Sequence, residues 1–250
     1  MTLPDSAAAV VQECAERVRP IAGVAGFYAG GSLATGDYHP GISDLDLVAV
    51  VEVALTAEQE SSLADVHREL MRCRSEAAKL HCFYVPLPDA ADVAQPHVNW
   101  AHGELYRRPL SGVARAELLR HGLTVHGPPP DELLPPVTDA ELADAARAEL
   151  TGYWSSALEK RHLWLEDLYV DLGLTTLARV EATLTEGRLI TKTEAIARLD
   201  RFAVPPELVD EIARRRRGLP TPTTQAARLR RARVARRLVA AGIDRLVPVG

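Results

Sequence analysis

Five of the nine residues from Pro128 to Pro136 are proline, in the run Pro-Pro-Pro-Asp-Glu-Leu-Leu-Pro-Pro. Proline fixes φ and removes an amide donor, so neither a helix interior nor a paired strand runs through such a stretch. The stretch predicts a linker or an extended strap, and it divides the chain into 1–136 and 137–250. The two parts differ in pattern. Short apolar runs alternate with helical spacing before it. After it, apolar residues recur at i, i+3 and i+4 over 141–162, 163–186, 193–202, 206–217 and 224–241, the period of helices in an antiparallel bundle. The expected class is α+β: a mixed sheet flanked by helices, then an all-α bundle.

Within the first part, residues 6–18 have helical spacing behind Asp5-Ser6, a candidate cap, and Pro20 is expected to end that helix. Val24 to Ala29 is an apolar run opening into Gly30-Gly31-Ser32, which predicts a buried strand delivering a tight turn. A short helix from Leu33 to Thr35 should stop at Gly36. Asp44 to Val53 predicts a second strand, apolar on both faces and so central in the sheet. A helix over 56–74, capped by Thr56, and a third strand from Leu80 to Val85 follow. His97, Trp100 and His102 fall in an expected loop, at a spacing that suits no zinc site.

The chemistry concentrates in residues 30–47. Glycine before Ser32 lets the backbone approach a phosphate closely, backbone amides at the start of a short helix favour negative charge, and the hydroxyl adds a hydrogen bond. Asp44 and Asp46, two apart on a strand, project from one face, where paired carboxylates bind a hard cation such as magnesium. Taken alone, Asp-x-Asp also fits a solvated strand start. The ordered set of Gly31-Ser32, Gly36-Asp37-Tyr38 and Ser43-Asp44-Leu45-Asp46-Leu47 closely resembles the signature of the DNA polymerase β-like nucleotidyltransferase superfamily. Within it, the set resembles the aminoglycoside adenylyltransferases that modify streptomycin and spectinomycin. Leu105 to Pro130 is similar to the connection those enzymes place before a helical domain, and Thr176 to Val180 with Gly187-Arg188 is similar to a helix of that domain.

The resemblance implies ATP as substrate, magnesium on Asp44 and Asp46, and phosphates bound by Gly31, Ser32 and Ser43. It implies Arg179 and Lys192 at the triphosphate from the bundle side, and an aminoglycoside-like small molecule as acceptor, an activity that confers antibiotic resistance. One departure matters. The family's third carboxylate, its general base, belongs on the next strand, which here reads Lys79-Leu80-His81-Cys82-Phe83-Tyr84-Val85. His81 stands in its place. Imidazole can serve as base or metal ligand; alternatively the site binds nucleotide without efficient turnover, or His81 is a half-buried strand residue. Glu76 and Glu104 are further acids that a loop could supply.

The composition fits a folded, non-membrane protein. The chain is 47% hydrophobic and 25% charged, with a net charge of −5. No apolar run reaches the ~18 residues of a membrane span, and no basic segment precedes a greasy amino-terminal core. A cytoplasmic protein is expected. Cys14, Cys73 and Cys82 suggest reduced thiols rather than a disulfide framework. Arg214 to Arg217 and Arg228 to Arg237 form a basic tail whose expected place is the outer face of two amphipathic helices, and nucleic acid is not an expected partner. Glu159, Glu166, Asp167, Asp171, Glu181 and Glu186, with Trp154, Trp164 and Tyr169, could receive a polycation, although acids at that spacing also suit a solvated helix face. Two alternatives to small-molecule transfer are a nucleotide-binding regulatory protein with a degenerate site, and transfer of AMP to RNA or protein.

Overall fold

The structure is a computed structural model and describes residues 3–248. It forms two compact units, Met1–Val137 and Thr138–Gly250. No helix among the described residues is long and apolar enough to cross a membrane.

The first unit begins with α1 (Asp5–Ala22) and β1 (Val24–Ala29), followed by α2 (Gly31–Thr35) and β2 (Leu45–Val51). Next come α3 (Ala57–Cys73) and β3 (Leu80–Pro86), and then a hairpin of β4 (Pro96–Ala101) and β5 (Glu104–Pro109). The unit closes with α4 (Gly112–His121), β6 (Leu123–His126) and the single turn α5 (Pro130–Leu133). The sheet order is β5-β4-β3-β2-β1-β6. Only β2 and β3 pair in parallel; the other neighbours are antiparallel.

Strand alternation sends the two faces of this sheet into different cores. Leu45, Leu47, Ala49 and Val51 of β2 pack with Cys82, Tyr84, Val98 and Trp100 against α1 and α3. Val48 and Val50 pack with Tyr28, Phe83, Val85, Leu110, Leu118 and Leu134 on the opposite face. β2 is therefore covered on both sides, as its unbroken apolar run requires. Thr56 caps α3 in a reciprocal capping box with Gln59.

Several elements differ from the sequence expectation. Pro20 does not end α1, which continues to Ala22 and stops at Gly23 with φ 58°. A proline in the last turn forfeits one hydrogen bond there without blocking the residues after it. The cap position is Pro4, with no side-chain cap bond. His97 and Trp100 belong to β4 rather than a loop. His102 and Gly103, both at positive φ, join β4 to β5 as a two-residue turn, the geometry whose twist matches antiparallel strands. The proline stretch is a strap on the first unit. Tyr28 Oη donates to the Pro128 carbonyl at 2.8 Å, Leu134 is buried, and Pro130 starts a helical turn, where its missing amide costs nothing.

The second unit is helical: α6 (Asp139–Glu149), α7 (Ser155–Glu159), α8 (Asp167–Glu186), α9 (Lys192–Ile196), α10 (Pro206–Arg216) and α11 (Gln225–Leu246). The periodic run over 141–162 is broken by a π-helical turn at Leu150–Trp154, and the run over 163–186 opens as a short 3₁₀ turn at Leu163–Leu165 before α8 begins at Asp167. Trp154 and Trp164 are buried against Gly173, where a Cβ would lie 3.0 Å from either indole. They are core residues and offer no surface to a ligand.

The basic tail does not simply coat the exterior. Arg231 is 1% exposed, its Nη2 2.6 Å from Asp167 and its Nη1 3.1 Å from Glu211, while it donates to the Pro222 carbonyl. Arg215 grips Asp171 with two guanidinium nitrogens at 2.8 and 2.5 Å. Burial pushes the Asp171 carboxyl up from its ordinary range, against the pull of Arg215. These arginines tie α10 and α11 to the start of α8. Helical periodicity placed them outside because it weighs a charge as polar and knows nothing of its partner.

Candidate active site

The site forms where β1 ends and β2 and β3 begin. Because β1 runs antiparallel to β2, the turn that leaves its last residue lies beside the first residues of β2. Gly30 N–H donates to the Asp46 carbonyl at 2.8 Å and fastens the two. Gly31 then adopts φ +54°, and a Cβ there would sit 2.3 Å from Asp46 Oδ2. Only glycine leaves that space, so the turn and the carboxylate interlock. Ser32 follows in α2, which ends at Gly36 in the left-handed conformation.

The loop from Gly36 to Asp44 is held from both ends. Ser43 is buried; its Oγ accepts the His39 amide at 3.0 Å, and its own amide donates to the His39 carbonyl at 2.9 Å. Lys79 Nζ donates to the Ile42 carbonyl at 3.1 Å and lies 3.6 Å from Asp44 Oδ1. Asp44 immediately precedes β2 and Asp46 is its second residue, with side chains 41% and 49% exposed. Both carboxylates are thus fixed at the backbone yet open to a ligand.

Parallel pairing places His81 directly opposite Asp46, with Nδ1 3.6 Å from Asp46 Oδ1. That separation is an electrostatic contact rather than a hydrogen bond. On its other side the His81 ring meets the His102 ring edge-on at 5.1 Å. No group of three His, Cys, Asp or Glu among the described residues converges as a ready ligand set. The donors still fit a hard cation. Two half-exposed carboxylates stand two residues apart, beside a glycine whose absent Cβ leaves room at Asp46, and nucleotide phosphates complete such a shell.

A cleft of about 230 Å³ opens beside this pair. Gly30, Gly31, Asp46 and His81 line it together with the apolar Val48, Phe83 and Leu118, and Arg108, Ser111 and Glu117 bring polar groups. Arg108 and Glu117 carry no signal in the sequence, being one of two adjacent arginines and one acid of a short helix. Of the acids proposed in place of the missing carboxylate, Glu76 and Glu104 do not line the cleft. Glu76 bonds Ser75 in an exposed turn, and Glu104 lies two strands beyond β3, opposite Ala101.

Arg179 and Lys192 belong to the second unit. Arg179 Nε donates to the Ile190 carbonyl at 3.1 Å, in the segment that leads into α9 and Lys192. Four of this unit's acids are paired with arginines. Asp167 and Asp171 are held by Arg231 and Arg215, Glu181 by Arg201 and Arg245, and Glu186 by Arg188 and Arg198.

Residues 10–82 match a family model described as a nucleotidyltransferase domain, and the turn, the two carboxylates and the two strand starts of the site all lie within that stretch. The likeness extends to the whole chain. The spectinomycin adenyltransferase of Enterococcus faecialis, solved with ATP and spectinomycin, superposes with a TM-score of 0.71 over 93% of this chain and 98% of its own, at 17% identity. At that identity the resemblance to an aminoglycoside adenylyltransferase is one of fold. Compared by sequence with curated proteins, the chain matches none.

Proposed function

We propose that the chain transfers AMP from Mg-ATP to a hydroxyl of a small, polyhydroxylated, aminoglycoside-like acceptor in the cytoplasm, a modification that would disarm an antibiotic of that kind. The observation that carries this reading is the Asp46–His81 neighbour pair beside the Gly31 turn. The domain family and the fold shared with an enzyme solved with ATP and spectinomycin support it.

Asp44 and Asp46 would hold magnesium, which when bound neutralises phosphate charge. Gly31, Ser32 and Ser43 are assigned to the phosphates, and Arg179 and Lys192 to the charge that builds on departing pyrophosphate. The acceptor oxygen attacks the α-phosphorus, an O–P bond forms, and the bond to the β-phosphate oxygen breaks. His81 takes the hydroxyl proton. Little covalent chemistry falls to the protein, so alignment and charge supply most of the rate.

Pyrophosphate release with Mg-ATP and a panel of hydroxyl acceptors tests the proposal. Acceptor-dependent release is expected, and Asp46→Asn should abolish both release and magnesium-dependent ATP binding. Histidine where the family has an acid favours one rival, a nucleotide-binding protein without turnover. Tight ATP binding with no release for any acceptor would establish that rival instead.

A further inference from the structure

The sheet beside the cleft buries one polar group that the transfer chemistry does not use. Asn99 of β4 is 0% exposed, and neither its Oδ1 nor its Nδ2 has a hydrogen-bond partner among the described residues. It stands in register between Phe83 of β3 and Tyr106 of β5, so the amide and both rings rise from the same face of the sheet. His81 and Phe83, two apart on β3, share that face, and the register of β3 with β4 makes Asn99 the diagonal neighbour of His81. Diagonal neighbours of that kind are about 7–8 Å apart.

Arg108 closes this spot. Strands β3 and β5 are two spacings apart, about 9.5 Å, and the Arg108 guanidinium lies 4.7 Å from the Phe83 ring centroid and 5.9 Å from that of Tyr106. A group at those distances sits between the two rings, above Asn99. Arg108 is itself exposed and, with Phe83, lines the cleft. Its guanidinium makes no ion pair among the described residues, so stacking on the rings is what holds it there.

A buried amide with both ends unpaired is costly and calls for a partner. Here it waits beneath a side chain held by ring contacts. The amide offers donors and an acceptor in one plane, which complements two neighbouring hydroxyls of a sugar ring, or a hydroxyl beside an ammonium. Phe83 and Tyr106, on either side, suit the C–H faces of such a ring. A ring anchored at Asn99 carries a further hydroxyl across the diagonal to His81.

We propose that Asn99 is a specificity-determining residue for the acceptor: Arg108 swings off Phe83 and Tyr106, and the uncovered amide hydrogen-bonds the polar substituents of one acceptor ring while another hydroxyl meets His81. This rests on the nucleotidyl-transfer reading of the same site and agrees with the aminoglycoside-like acceptor of that reading, whose positive charge repels the guanidinium and favours its displacement.

Calorimetry of the full chain with magnesium and an α,β-methylene ATP analogue tests it, using spectinomycin, streptomycin and myo-inositol as probes. At least one probe should bind. Asn99→Leu should weaken that binding tenfold or more and change affinity for the ATP analogue by less than twofold. Its urea midpoint should equal or exceed that of the parent, because an apolar side chain of similar shape relieves the unpaired amide. Arg108→Ala, which removes the cover and the like charge, should tighten the same probe threefold or more. Four results would overturn the proposal: no probe binds, Asn99→Leu changes probe affinity by less than twofold, Asn99→Leu lowers the urea midpoint together with affinity, or Arg108→Ala weakens the probe. If a probe binds through Asn99 and no acceptor elicits pyrophosphate release, the transfer reading fails and the amide site stands. If release proceeds with a KM indifferent to Asn99→Leu, the transfer reading stands and the amide site fails.

Discussion

Replacing Gly31 with alanine should damage the protein through two separable effects, and a double-mutant cycle can measure them apart. The backbone at φ +54° costs an L-residue about 1–2 kcal/mol. A stiffer unfolded chain returns about 0.4–1 kcal/mol of that. The new Cβ also falls 2.3 Å from Asp46 Oδ2, with Cγ at 3.1 Å, so the carboxylate must leave its rotamer. Displacement of that kind costs about 0.5–1.5 kcal/mol. Gly31→Ala should therefore lose about 0.5–3 kcal/mol against urea. In an Asp46→Ala background the carboxylate clash is gone, and the backbone effect and a 3.2 Å approach to the Cβ of residue 46 are left. The coupling between the two sites should be about 0.5–1.5 kcal/mol, well above the additivity expected of independent positions. Magnesium-dependent ATP binding should weaken with Gly31→Ala alone. Equal losses in both backgrounds would refute the interlock between turn and carboxylate.

Three further outcomes are expected. His81→Ala should slow acceptor-dependent pyrophosphate release by roughly a hundredfold while leaving ATP affinity nearly unchanged; a change in rate within twofold would remove His81 from the proton transfer. Burial pulls His67, stacked on Trp100 and bonded to Tyr84, down to a pKa of about 3. Its folded value lies below the unfolded one, so its contribution is complete above about pH 6.5 and is lost as pH falls towards 3. The loss is at most about 1.4 kcal/mol per pH unit. His67→Gln should remove that slope from urea melts between pH 6 and 4.5, and identical slopes would contradict the assignment. Arg231→Met removes the buried guanidinium between Asp167 and Glu211, which keep Arg215 and Arg230 as partners, and should cost about 1.5–3 kcal/mol in urea unfolding; a loss below about 1 kcal/mol would show the network to be superficial.

Where local chemistry decides structure, the sequence is easy to read. Val24 to Ala29 is β1, with the residues expected of it, because an apolar run bounded by glycines on both sides has few alternatives. Thr56 and Gln59 specify the start of α3 by their own hydrogen bonds. The hairpin of β4 and β5 gives no such sign. β5 is an edge strand with Glu104, Arg107 and Arg108 exposed, its last residue Pro109 sits in register with Pro96 of β4, and its pairing depends on a partner rather than on its own pattern. His67 and Arg231 were illegible for a related reason. A polar side chain enters a core only with partners from distant elements, Tyr84 for the one and Asp167 with Glu211 for the other. In the candidate site, the Gly31 turn and the two aspartates could be read as one contiguous segment. Arg108 and Glu117 reach the cleft only through the folding of β5 and α4 over it.

The parallel join of β2 to β3 has a consequence for how this protein could change. Because the strands start together at one end of the sheet, whatever stands at position 81 is held beside Asp46 by main-chain bonds, whichever side chain it bears. Position 81 is thus a socket. Exchanging imidazole for carboxylate there alters the charge and proton affinity of the pocket while the scaffold stays still, so a single codon separates two chemistries built on the same backbone.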